Sequence, residues 1–103
     1  MLRHVVFFNW KEETTEAEKQ AVEAGLGALP ARIPQIRRYE IGRDLGLADG
    51  NFDFALVADF DSIEDYEVYQ AHPEHQRVIR ESIKPVISQR AAVQYRLDGP
   101  AGA

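Results

Sequence analysis

Two of the three histidines in this chain stand in one heptapeptide, Tyr69-Gln-Ala-His72-Pro73-Glu74-His75. Pro73 has no N–H to donate and pushes His72 out of the helical region, so one helix is expected to stop near Ala71 and another to begin at Pro73. His75 then falls in the first turn of the new helix. The positive end of the helix dipole disfavours imidazolium there, so a His75 facing a pocket would be neutral near pH 7 and able to accept a proton. That makes His75 a candidate general base. His72, just before a helix-starting proline, is placed to cap the turn. Tyr69 is either a donor or a core aromatic with a tethered hydroxyl, and His4 is either a pocket residue or a buried histidine satisfied by a neighbour. The break at Pro73 spoils the shared helical face that ligands at i and i+3 or i+4 use, so no metal is expected among His4, His72, Glu74 and His75. No cofactor is expected either.

The elements that must carry these residues follow from periodicity. Residues 2–10 alternate, with Leu2, His4, Val6, Phe8 and Trp10 on one side and Val5 and Phe7 on the other. A strand apolar on both sides belongs inside its sheet. Thr15 with Glu18 is a capping box, predicting a helix over 16–29 that Pro30 and Pro34 end. Its inward positions read Ala17, Ala21, Val22, Ala24, Gly25, Leu26, Ala28 and Leu29. A polar strand over 36–42, bearing Arg37 and Arg38, suits a sheet edge. Gly46 and Asp49-Gly50 favour turns, and 52–60 reads as a second interior strand. A short helix over 63–71, capped by Asp61 or Ser62, precedes a helix from Pro73 to about Gln89 that Pro85 bends or deprives of a bond. A last strand is expected over 90–97.

Strand, helix, strand, strand, helix pair, strand is the order of a ferredoxin-like α+β fold. It implies a four-stranded antiparallel sheet, strands 1 and 3 inside, with the helices on one face. The other face, carrying Val5, Phe7, Ala55 and Val57, has nothing in this chain to cover it. Roughly 400 to 600 Å² of exposed apolar surface calls for a partner. A two-fold homodimer joined sheet to sheet and closing an α/β barrel is the expectation.

The 103 residues fit one domain, taken as 1–98, with 99–103 a disordered tail. A net charge of -5 argues against nucleic acid or an anionic membrane as partner. With no cysteine, thiolate and disulfide chemistry are excluded. No segment is long and apolar enough to span a bilayer, and the opening run reads as a strand rather than an export signal, so a cytoplasmic location is expected.

Arg3-His4-Val5-Val6-Phe7-Phe8, the Leu29-Pro30-Ala31-Arg32-Ile33-Pro34 stretch, Phe54-Ala-Leu-Val57, the Tyr69-to-Gln76 segment and Lys84-Pro85 together resemble the stress-responsive A/B barrel (Dabb) domains. The resemblance covers residues 2–97. The best-defined chemistry of that family is that of olivetolic acid cyclase and related polyketide cyclases, which close a linear chain by intramolecular aldol condensation without metal or cofactor. Their catalytic tyrosine and histidine correspond to Tyr69 and His75, and the nearby opening-strand histidine to His4. The aromatic residues lining their acyl pocket on the first helix are replaced here by the neighbourhood of Val22, Glu23 and Leu26. Val22, Leu26, Phe8 and His72 are thus the expected substrate contacts.

The function so implied is a small cofactor-free cyclase or lyase acting on a polyketide-like or other enolisable carbonyl compound. The alternative is a non-catalytic stress-associated dimer that binds a small apolar ligand or a partner. A pocket of at least about 300 Å³ reached by His75 and Tyr69 would favour the enzyme, and a filled interior the alternative.

Overall fold

The computed structural model describes residues 1–97, so the expected tail over 99–103 lies outside the described residues. Strand β1 (Leu2–Trp10) pairs antiparallel with β3 (Phe54–Phe60) on one side and β4 (Ile87–Arg96) on the other; β2 (Ile36–Arg43) closes the far edge, giving the order β2-β3-β1-β4. This is the ferredoxin-like α+β sheet, with the two doubly apolar strands inside and the arginine-bearing strand at an edge.

Helix α1 (Glu16–Gly27) starts on the expected capping box. The Glu18 N–H donates to Thr15 Oγ1 at 3.1 Å and the Thr15 N–H to Glu18 Oε1 at 2.9 Å. The helix stops two residues short of the expected 16–29, and Pro30 joins a separate turn, α2 (Leu29–Arg32), because a proline in a first turn gives up no bond. Of the inward set, Val22, Leu26 and Leu29 are buried, whereas Ala17, Ala21, Ala24 and Ala28 are exposed. Gly25 marks the close approach to the later helices: a Cβ there would lie 3.1 Å from a Val78 methyl.

Helix α3 (Ile63–Ala71) is capped by Ser62, whose side chain accepts from the Asp65 N–H, and α4 (Pro73–Val78) follows after the break. The helix expected to reach Gln89 does not. A π-helical turn, Ile79–Ile83, ends it, with the Lys84 N–H donating to the Ile79 carbonyl at 2.8 Å. Pro85 therefore terminates the helix rather than bending it, because its ring cannot continue the ladder. Ile87 belongs to β4, which starts three residues earlier than the expected 90. Strand β3 starts at Phe54, two residues late, and β2 runs one residue further than expected.

All helices lie on one sheet face, over Leu2, His4, Val6, Phe8, Leu56, Ala58 and Phe60. Fully buried Phe54, Phe60, Leu26, Leu29, Ile33 and Val22 fill the layer, each worth about 1.5 to 3 kcal/mol. The helices stop short of β4, where Arg90, Ala92, Gln94 and Arg96 are exposed on the helix side. The opposite face is open. Phe7, Val93 and Tyr95 keep 37%, 51% and 46% of their surface. The loop over 44–53 arches beside it, turning at Gly46 and Gly50 with φ of 73° and 84°. It holds Leu45 and Leu47 in water at 82% and 84% exposure above a groove of about 820 Å³. Among the described residues, no helix is long and apolar enough to cross a membrane.

Candidate functional site

The break at Pro73 sets the state of His75. In an unbroken helix the Gln70 carbonyl would accept from the Glu74 N–H. Here His72 Nδ1 takes that N–H at 3.1 Å, and the freed Gln70 oxygen lies 3.2 Å from His75 Nδ1. A carbonyl only accepts, so Nδ1 carries the proton and Nε2 carries the lone pair. Burial, followed by the charge of Arg90, lowers the His75 pKa against the opposing pull of the Gln70 bond. His75 is thus a neutral imidazole whose basic nitrogen is Nε2.

His4 has the opposite tautomer. Sheet register sets Tyr39, Ala58, His4 and Gln94 in one row across the four strands on the helix side. The Gln94 side-chain amide donates to His4 Nδ1 at 2.8 Å, so the ring proton is on Nε2. Burial first, then the charge of Arg90 and the proximity of the His75 ring, lower the His4 pKa to about 4. Among the described residues no sealed side-chain nitrogen or oxygen lacks a partner, and neither Nε2 hydrogen-bonds within the chain. Each Nε2 therefore meets open space.

Tyr69 lies between the two imidazoles. Its ring centroid is 4.1 Å from that of His75 and 6.2 Å from those of His4 and Tyr39, over the space that small Ala58 leaves. The Tyr69 and Tyr39 hydroxyls are 2.9 Å apart. Burial raises both, Tyr69 to about 12 and Tyr39 further, so both hydroxyls keep their protons at neutral pH and either can be the donor of the bond they share.

These groups meet at a cavity of about 170 Å³ between sheet and helices. Val6, Phe8 and Leu56 form its sheet wall, Leu26 its α1 wall, and Ile79 and Ile83 of the π-helical turn its roof. His4, His75 and Tyr69 bring the polar atoms, and exposed Lys84 and Arg90 stand where it opens to water. The volume is below the 300 Å³ named above, yet the space is not filled solid. Five of the expected residues, His75, Tyr69, His4, Leu26 and Phe8, line this cavity. Val22 does not, lying one turn before Leu26 in the core, and His72 is spent as a cap. Gln70, Gln94, Tyr39, Lys84 and Arg90 were not foreseen. Gln94 and Arg90 could have been, by aligning strand 4 against strand 1. Among the described residues, no three His, Asp or Glu side chains form a metal-holding group.

A family model described as the Stress Responsive A/B Barrel Domain matches residues 2–97. Among curated proteins, the chain is 27% identical over 99 residues to a stress-response A/B barrel domain-containing protein of Arabidopsis thaliana. The match covers 95% of this chain and 37% of that protein, so the chain spans little more than a third of its relative. A dimeric ferredoxin-like protein of unknown function from Thermobifida fusca is 42% identical, with TM-score 0.86 over 93% of this chain and 90% of that one. A hydroxynitrile lyase from Passiflora edulis shares the fold at 24% identity, with TM-score 0.84 over 96% and 94% of the two chains.

Proposed function

The chain belongs to the stress responsive A/B barrel domain family, and on that footing we propose that it is a cofactor-free enzyme of the cyclase or lyase type acting on a small enolisable carbonyl compound. The observation that carries this reading is the pair of neutral imidazoles with opposite tautomers on one cavity. His75 Nε2 takes a proton from the carbon beside a carbonyl. The Tyr69 hydroxyl and the His4 Nε2–H donate to the oxygen on which the enolate charge gathers. The enolate carbon then bonds to a second carbonyl carbon of the same compound, whose C=O π pair moves onto its oxygen and takes back the proton held by His75, closing a ring; the same steps reversed break a carbon–carbon bond. A cavity of about 170 Å³ selects a compound near the size of one six-membered ring, since an apolar cavity of about 150 Å³ accepts benzene. A long linear polyketide does not fit in it.

The chain is proposed to work as a homodimer through its open sheet face. Phe7, Val93 and Tyr95 supply an apolar band, and Leu45 and Leu47 reach out from the same side. A two-fold axis near Val5 would lay that arm on the Tyr95 end of the partner's sheet. A dimeric relative at 42% identity supports this assembly.

The cavity is smaller than the usual ligand site of about 300 to 1,000 Å³, and that favours one second reading, a non-catalytic dimer that holds a small apolar ligand. Hydrogen–deuterium exchange at the α-carbon of small ketones and keto acids, followed by NMR in D2O, separates the two. The enzyme reading expects exchange that His75→Gln removes and Tyr69→Phe slows, with the dimer intact. No catalysed exchange with any member of the panel, or equal rates in both variants, would overturn it.

A further inference from the structure

We propose that the ligand of this cavity carries a carboxylate or an equivalent single anionic group, held by Lys84 and Arg90 while its carbonyl end faces His75 and His4. The inference rests on the reading of the cavity as a substrate site and adds the charge of the substrate.

The chain is acidic, with 17 carboxylates against 12 lysines and arginines, and its arginines are mostly neutralised. Arg3, Arg32, Arg37, Arg43 and Arg77 each reach a carboxylate between 2.6 and 2.8 Å. Among the described residues Lys84 and Arg90 have no such partner, and no Asp or Glu lines the cavity beside them. Lys11, Lys19, Arg80 and Arg96 also lack a carboxylate among the described residues, but they stand off the cavity. An acidic surface that leaves two cations bare at the mouth of an imidazole-lined space keeps them for a charge that comes from outside.

Local structure explains how both arrive there. The π-helical turn ends at Ile83 and delivers Lys84 to the rim, with Pro85 preventing any further turn. Arg90 pairs with Phe8 in the β1–β4 register, so its stem leaves the helix-facing side of β4 where the helices no longer cover the sheet. Its guanidinium projects toward water while its stem borders the apolar wall. Both histidines feel this charge, since Arg90 is among the causes that lower each. A bound anion would cancel that influence and leave His75 a stronger base only once the substrate is in place.

The test uses the full chain, benzoate as the anionic probe and benzamide as its neutral isostere, and follows the ring signals of the three histidines by NMR at low salt. Benzoate is expected to shift the His75 and His4 signals and to bind about five- to tenfold more tightly than benzamide, the range open to a partly exposed pair of cations. Arg90→Gln and Lys84→Gln are each expected to shrink that ratio, weakening benzoate more than benzamide. Equal binding of both probes to the native chain, or an unaltered ratio in both variants, overturns the anion preference and leaves the cavity reading standing. Failure of both probes to move the His75 signal overturns both readings.

Discussion

Replacing His4 by Gln is expected to flatten the dependence of stability on pH between about pH 7.5 and about pH 5. His4 titrates at about 4 in the folded chain and near 6.5 when unfolded. Within that window the unfolded chain binds a proton that the folded chain refuses. Stability therefore rises with pH there and is lost as pH falls from about 6.5 toward about 4. The linkage integral for this single site gives about 2 kcal/mol per protomer at about pH 5. Asp59, Glu16, Glu18 and Glu74 are all held below their ordinary carboxylate range, so their contributions fall at lower pH and leave the window to histidine. His75, lowered in the same direction, adds to the native slope and persists in the variant. Urea unfolding at fixed protein concentration measures the difference. His4→Gln loses packing at every pH, yet between the two pH values it should lose about 2 kcal/mol less than the native chain. Parallel pH dependences for the two proteins would refute the placement of a neutral, buried His4.

If His75 is the base, the acidic limb of any exchange or turnover profile should fall below the ordinary histidine pKa of about 6.5, and a limb at or above it would exclude His75. Leu26→Ala removes one cavity wall and should cost about 2 to 3 kcal/mol in urea unfolding, near the low end for a buried leucine because the site already adjoins empty space. The same variant should admit ligands larger than a single ring. Leu45→Ser combined with Leu47→Ser should weaken the dimer by about 3 kcal/mol, or about a hundredfold in its dissociation constant by sedimentation equilibrium. An unchanged constant would remove the loop from the interface.

The parts of the molecule written by local physics were legible in the chain. The capping box at Thr15 and Glu18, the alternation of β1, the arginine-bearing edge strand and the break at Pro73 each follow from residues within a few positions of one another. Their sum already implies a ferredoxin-like sheet and a neutral His75. What escaped depends on contacts distant in sequence. The alanines of α1 look inward by type, but the side α1 turns to the sheet is set by Gly25 meeting Val78, and that leaves Ala17, Ala21, Ala24 and Ala28 in water. The end of the second helix was misplaced because the stripe Val78, Ile79, Ile83, Val86, Ile87 continues across Pro85. Helical spacing and a helix-to-strand change put the same residues inward. That error moved the start of β4 by three residues, while Gln94 and Arg90, already inside the expected strand, take their places opposite His4 and Phe8 only from the register. Tyr39 was invisible for the same reason, since its bond to Tyr69 crosses from β2 to α3.

The most direct test of the site is nitrogen-15 NMR of the three imidazoles at neutral pH. The expected result is two neutral rings of opposite kind, His75 protonated on Nδ1 with a bare Nε2, and His4 protonated on Nε2 with Nδ1 accepting from Gln94. A cationic ring at either position, or the same tautomer at both, would contradict the account.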